Sequence, residues 1–202
     1  MVVHDQQVPA VSNPVLQDFL EQLEALRMDA RELTTGLNRT QFNWRPAPRR
    51  WSIGQCLQHV VLTARLYPDP IERMIEESTK RKARGYRGYG EGIFSRWLIG
   101  TMEPPPKLRV RSPRRVEPDL DLDPATVTAA FDDLHARFGE LMVAADGVSL
   151  YHARMNSPFL PILRLTLRQT FAINLAHGRR HLWQAWLVRR ASGFPNGSTP
   201  GR

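Results

Sequence analysis

Apolar residues recur from Leu16 through Phe19, Leu23, Leu26, Ala30, Leu33 and Leu37, at steps that alternate between three and four. This is the heptad stripe of a helix that buries one face at a shallow crossing angle. Asn13-Pro14 just before it supplies an N-cap and a proline at the first helical position, and Gly36 and Asn38 suit its end. The same start recurs at Asp123-Pro124, followed by the stripe Val127, Phe131, Leu134, Phe138, Leu141 and Ala145, which stops near Asp146-Gly147. His135 lies beside that stripe and reads as a surface or rim residue. Two more helices are announced by capping boxes, in which a Ser or Thr side chain and a Gln three residues on each satisfy a backbone donor of the other. Ser52 and Gln55 open one helix at Ile53, with Trp51 and Cys56 at the positions of a hydrophobic staple. Its core face uses Leu57, Val60, Val61 and Ala64, with His59 at the edge of the stripe. Pro68 and Pro70 interrupt it, and helix resumes from Pro70 to about residue 82. Thr166 and Gln169 open the last helix, which runs to Arg190. Thr170, Ile173, Asn174, His177, His181, Gln184 and Val188 share one of its faces.

The intervals between these helices are unequal. Pro46 and Pro48 exclude a regular helix between the first and second, and a turn spans Tyr151–Pro161. Residues 83–123 form a long irregular crossover, glycine-rich at first and proline-punctuated later, with one short helical stretch at Ile93–Thr101. Only Leu108–Val116 alternates as a strand would. A crossover of this length can carry the chain the length of a bundle, so the second and third helices can run parallel. The expectation is an all-α, single-domain four-helix bundle over residues 13–190, with a flexible N-terminal tail at 1–12 and a disordered C-terminal tail at 191–202.

Charge changes the picture in one place. The net charge of +8 is carried entirely between Thr79 and Pro118, where eleven Lys/Arg face three Asp/Glu. The single cysteine, Cys56, excludes an intramolecular disulfide and any Cys-based zinc motif. No apolar run is long enough to span a membrane, and the first residues lack a basic region followed by an apolar stretch, so a cytoplasmic location is expected.

Chemistry concentrates on histidines. His177 and His181 are four apart on one helix, which places their Cβ atoms roughly 5–6 Å from each other. With His59 from the facing helix they offer three neutral imidazoles, the donor set of a catalytic metal site with an open position. Asn174 and Gln184, one or two turns from the pair, are candidates to orient such a site from behind. Gly178 stands where the zincin motif H-E-x-x-H has its glutamate, so metalloprotease chemistry of that kind is not expected. The residues alone leave open that these are three unrelated histidines in a non-catalytic bundle that forms a homodimer. Cys56, one turn before His59, reads as a small buried apolar residue rather than a fourth ligand or redox thiol. Arg179 and Arg180 read as a solvated helix face. The interleaved Lys80, Arg81, Lys82, Arg84, Tyr86, Arg87 and Tyr89, with Lys107, Arg109, Arg111, Arg114 and Arg115, support an alternative function, a nucleic-acid or anionic-surface binding module. No recognised nucleic-acid fold signature accompanies them.

The stretch WSIGQCLQHVV and the stretch LTLRQTFAINLAHGRRHLWQ together resemble the second and last helices of the DinB-like superfamily. The resemblance covers about Pro14 to Arg190. It implies an up-down-down-up topology and a divalent metal held by the matching positions, His59, His177 and His181, with zinc or nickel as first candidates. It also points to the metal-dependent chemistry of relatives such as bacillithiol S-transferases and mycothiol-dependent maleylpyruvate isomerases. By that likeness the activity would be transfer of a low-molecular-weight thiol, or hydrolysis, on a small-molecule substrate.

Overall fold

A computed structural model describes residues 8–80, 93–105 and 112–196. The glycine-rich basic stretch at 81–92, residues 106–111 with the first part of the alternating stretch, and the outermost residues of both tails lie outside the described residues. The chain is mostly helical, with α1 (Pro14–Thr34), α2 (Arg39–Asn43), α3 (Ile53–Ala64), α4 (Pro68–Lys80), α5 (Ile93–Met102), α6 (Pro124–Ala144) and α7 (Leu167–Arg189). A 3-10 turn at Arg114–Val116 and the short strands β1 (Arg154–Asn156) and β2 (Arg164–Thr166) complete it.

The helix starts follow from local chemistry. Asn13 caps α1 by accepting from the Val15 N–H, and Asp123 caps α6 by accepting from Thr126. Both capping boxes form: Ser52 with Gln55 at α3, and Thr166 with Gln169 at α7. Gly36 adopts φ +76°, the left-handed turn that ends α1 where a side chain would be strained. Four helices enclose the core in a closed cycle, α1 against α6 and α7, and α3 against the same two. One end of the core is built around Phe19, Phe138 and Phe171, and the other around Phe42, Leu57 and Phe131. Between α1 and α7, Arg179 donates to Gln22, Trp186 to Asp29 and Arg189 to the Leu33 carbonyl. Ser12 and Asn13, at the start of α1, donate to Asp146 just beyond the end of α6.

Several expectations are corrected. The connection after α1 contains α2, opened by an Asn38–Gln41 capping box, because the helix ends before Pro46 is reached. The turn before α7 holds an antiparallel β1–β2 pair in which Met155 faces Leu165. Residues 114–116 of the stretch that alternates like a strand form a 3-10 turn instead. His135 is not a rim residue but 5% exposed, stacked on Phe131 at 4.0 Å between ring centroids. The described parts of the tails are docked. Val8 and Val11 pack against the core, the Phe194 ring meets Trp44 at 5.6 Å, and Gln41 donates to the Pro195 carbonyl. No described helix is long and apolar enough to cross a membrane.

Candidate metal centre

A group of three histidines lies between α3 and α7, beside the 3-10 turn. His59 comes from α3, and His177 and His181 come from α7, the helix that α3 packs against. Ser52 and Gln55 fix where α3 begins, and so fix His59 on its second turn. Gly178 lets α7 approach α1 closely, since a Cβ there would lie 2.5 Å from Leu26 Cδ1. The glycine that stands in place of a zincin glutamate therefore has a packing role.

The three rings lie 5.2 Å (His59–His177), 4.7 Å (His59–His181) and 4.6 Å (His177–His181) apart between centroids. One nitrogen of each lies within 4.8 Å of the other two, and the three could hold a metal ion. Their other contacts assign the protons. His59 Nδ1 lies 2.8 Å from the Val116 carbonyl oxygen, which can only accept, so Nδ1 carries the hydrogen and Nε2 keeps its lone pair. Thr63 Oγ1 donates to backbone carbonyls of its own helix, at 2.9 Å from His59 O. Its lone pairs then face His177 Nδ1 at 3.4 Å, a long contact that favours the hydrogen on Nδ1 there too. His181 Nδ1 is buried with no hydrogen-bond partner, while the Gln184 side chain bonds the same ring.

Electrostatics hold the cluster neutral, the form in which imidazole binds metal. Burial pushes His59 below its ordinary value, against the opposing pull of the Val116 carbonyl. Burial, then the neighbouring His59 and Arg180, push His177 down to about 3. Burial first, then His177, His59 and Arg180, hold His181 well below the ordinary range, with Gln184 opposing. An unpartnered buried nitrogen is costly. Among three neutral imidazoles, it is the arrangement that a cation would complete, so the donor set fits a divalent ion. Trp51 forms a wall of the site, 4.7 Å from the His59 ring and 5.6 Å from the His181 ring.

Of the other sequence candidates, one reaches the cluster and the rest lie elsewhere. Gln184 reaches the His181 ring, but Asn174 donates to the Thr170 carbonyl of its own helix. Cys56 is fully buried in the apolar core, where desolvation pushes its thiol far up. Arg179 is not a solvated residue but pairs with Glu103 beyond α5, and Arg180 donates to the Thr101 carbonyl. Trp51, Thr63 and the Val116 carbonyl are parts of the site that the sequence did not reveal. Thr63 was legible as the residue four after His59, whereas a backbone carbonyl carries no sequence signal.

A family model described as the DinB superfamily matches residues 22–185, a span that includes all three histidines. No curated protein and no solved structure matches the chain.

Proposed function

This chain belongs to the DinB superfamily, and from that premise we propose that it binds one divalent metal ion through His59, His177 and His181 and uses it on a small-molecule substrate. The observation that carries the reading is the buried, unpartnered His181 Nδ1 inside a cluster of neutral imidazoles. Zinc and nickel suit nitrogen donors. When bound, a divalent ion held by three uncharged ligands keeps its full charge and can lower the pKa of a water or thiol in a fourth position. The chain's own groups have separate tasks. The Val116 carbonyl and Thr63 hold the rings of His59 and His177 in orientation. Gln184 holds that of His181, and Trp51 shields one side from water. Among the described residues, the group that could hold the ion consists of the three histidines. Coordination activates a thiol or a water alike, and either must pass its proton to an acceptor, so the same site suits thiol transfer or hydrolysis.

We read the four core helices as an up-down-down-up bundle spanning residues 13–190. The ladder from Gln22–Arg179 to Leu33–Arg189 supports α1 and α7 running the same way, and the Ser12–Asp146 contact supports α6 running against α1. The nucleic-acid alternative rests on side chains that lie mostly at 81–92 and 106–111, outside the described residues.

Metal analysis of protein purified without a histidine tag tests the metal site. The expected result is one divalent ion per chain, lost in His181→Ala and His59→Ala. If stripped wild-type protein takes up no zinc, nickel or manganese, the reading fails.

A further inference from the structure

Away from the histidines, a surface cleft of about 440 Å³ opens between α4, the 3-10 turn and β1. Its size falls in the range of roughly 300–1,000 Å³ typical of small-molecule sites. Three exposed arginines line it from three separate segments: Arg73 on α4, Arg115 in the 3-10 turn and Arg154 on β1. One carboxylate, Glu77, shares the lining, and none of the three arginines forms an ion pair with a described residue. Some other arginines of this chain are matched, as Arg39 is by Asp121 and Arg137 by Glu72 and Glu140, while surface arginines such as Arg45, Arg50 and Arg65 form no ion pair with a described residue either.

Arg115 is also held in place. It donates to the Pro158 carbonyl, and its guanidinium lies 5.1 Å from the centre of the Phe159 ring. That engages one face and one N–H while leaving other donors of the fork available. Met74 and Met155 add apolar, adaptable surface to the same cleft. The lining carries three arginines to one glutamate, and a carboxylate or phosphate that accepts from two guanidinium groups gains bidentate, charge-assisted hydrogen bonds.

We propose that this cleft binds a small amphipathic anion, its carboxylate or phosphate head on Arg73, Arg115 and Arg154 and its short apolar body on Met74 and Met155. The site is independent of the metal reading. It nevertheless adjoins it through one short segment, because the residue after Arg115 is Val116, whose carbonyl orients His59.

Calorimetric titration of the full chain tests this, with octanoate and octyl phosphate as anionic probes and octanol as the neutral control. The variant is Arg73→Gln/Arg154→Gln, which leaves Arg115 and the Val116 strut unchanged. Saturable one-to-one binding is expected for at least one anion, and the tighter of the two identifies the head group. Octanol should bind at least about tenfold more weakly, and the double variant should lose roughly tenfold or more in anion affinity, the scale of a hydrogen bond to a charged group. Metal uptake by the double variant should equal that of the wild type. Absence of saturable binding by either anion, equal affinity for octanol, or unchanged affinity in the double variant would each overturn the proposal. So would an oligonucleotide that displaces the anion and binds more tightly, since it would assign the arginines to a polymer.

Discussion

Acid should destabilise this protein through a histidine that has no part in the metal site. His135 is buried on α6, its ring stacked on Phe131 and its Nδ1 donating to the Phe131 carbonyl at 2.7 Å. Burial, only partly opposed by that hydrogen bond, holds its pKa down to about 4, with nearby Arg27 lowering it further and Asp132 raising it. An unfolded chain takes up a proton near pH 6.5, whereas the folded chain refuses it until about pH 4. The unfolded state therefore binds more protons between those values. Stability that is complete above pH 6.5 is lost as the pH falls through that window. Each pH unit inside the window is worth about 1.4 kcal/mol, so the fall from pH 7 to pH 5 should cost about 2 kcal/mol from this residue alone. Urea unfolding followed by circular dichroism at the two pH values measures it, in wild type and in His135→Gln. The cluster histidines are buried in both proteins and largely cancel in the difference. The wild type should lose about 2 kcal/mol more than the variant on acidification. Equal losses would refute the assignment of the acid response to His135.

Two further outcomes test the packing and the cluster. A Cβ on Gly54 would lie 2.5 Å from Phe42 Cε1 and 3.2 Å from Leu122 Cδ1, in a part of the core where Phe42 is fully buried. Overpacking of about 1–3 kcal/mol should outweigh the gain of about 1 kcal/mol in helix propensity, so Gly54→Ala should lower the urea midpoint, and an unchanged or raised midpoint would contradict the close approach of α2 and α3. Metal affinity should resist acid: three ordinary histidines would lose about thirtyfold in affinity between pH 7 and pH 6. With His177 held at about 3 and its two partners also lowered, the loss measured by competition with a chelating dye should be below about threefold, and a thirtyfold loss would mean that the rings are solvated.

Much of the frame was readable because its signals are local. A capping box needs only two residues three apart, and Ser52–Gln55 and Thr166–Gln169 fixed the starts of α3 and α7 without reference to the rest of the chain. The same device, Asn38–Gln41, starts α2, but the prolines that follow obscured it. His135 was misplaced because a heptad stripe describes a helix with one neighbour. α6 packs against both α1 and α3, so it buries a wider arc than the stripe, and the residue beside the stripe goes inside. The β1–β2 pair was missed because three-residue strands are too short to show alternation.

By itself, the sequence determined the long helices α1, α3, α6 and α7, their N-terminal caps, and the one-turn spacing that puts His177 and His181 on a common face. These depend on contacts within a few residues along the chain. Only the tertiary structure decided that His59 joins them, that the Val116 carbonyl and Thr63 turn two rings inward, and that His181 Nδ1 is buried without a partner. It also decided that Arg73, Arg115 and Arg154, separate in the chain, line one cleft. Such relations are set by how helices far apart in sequence pack, and by backbone atoms that every residue shares, so no local pattern encodes them.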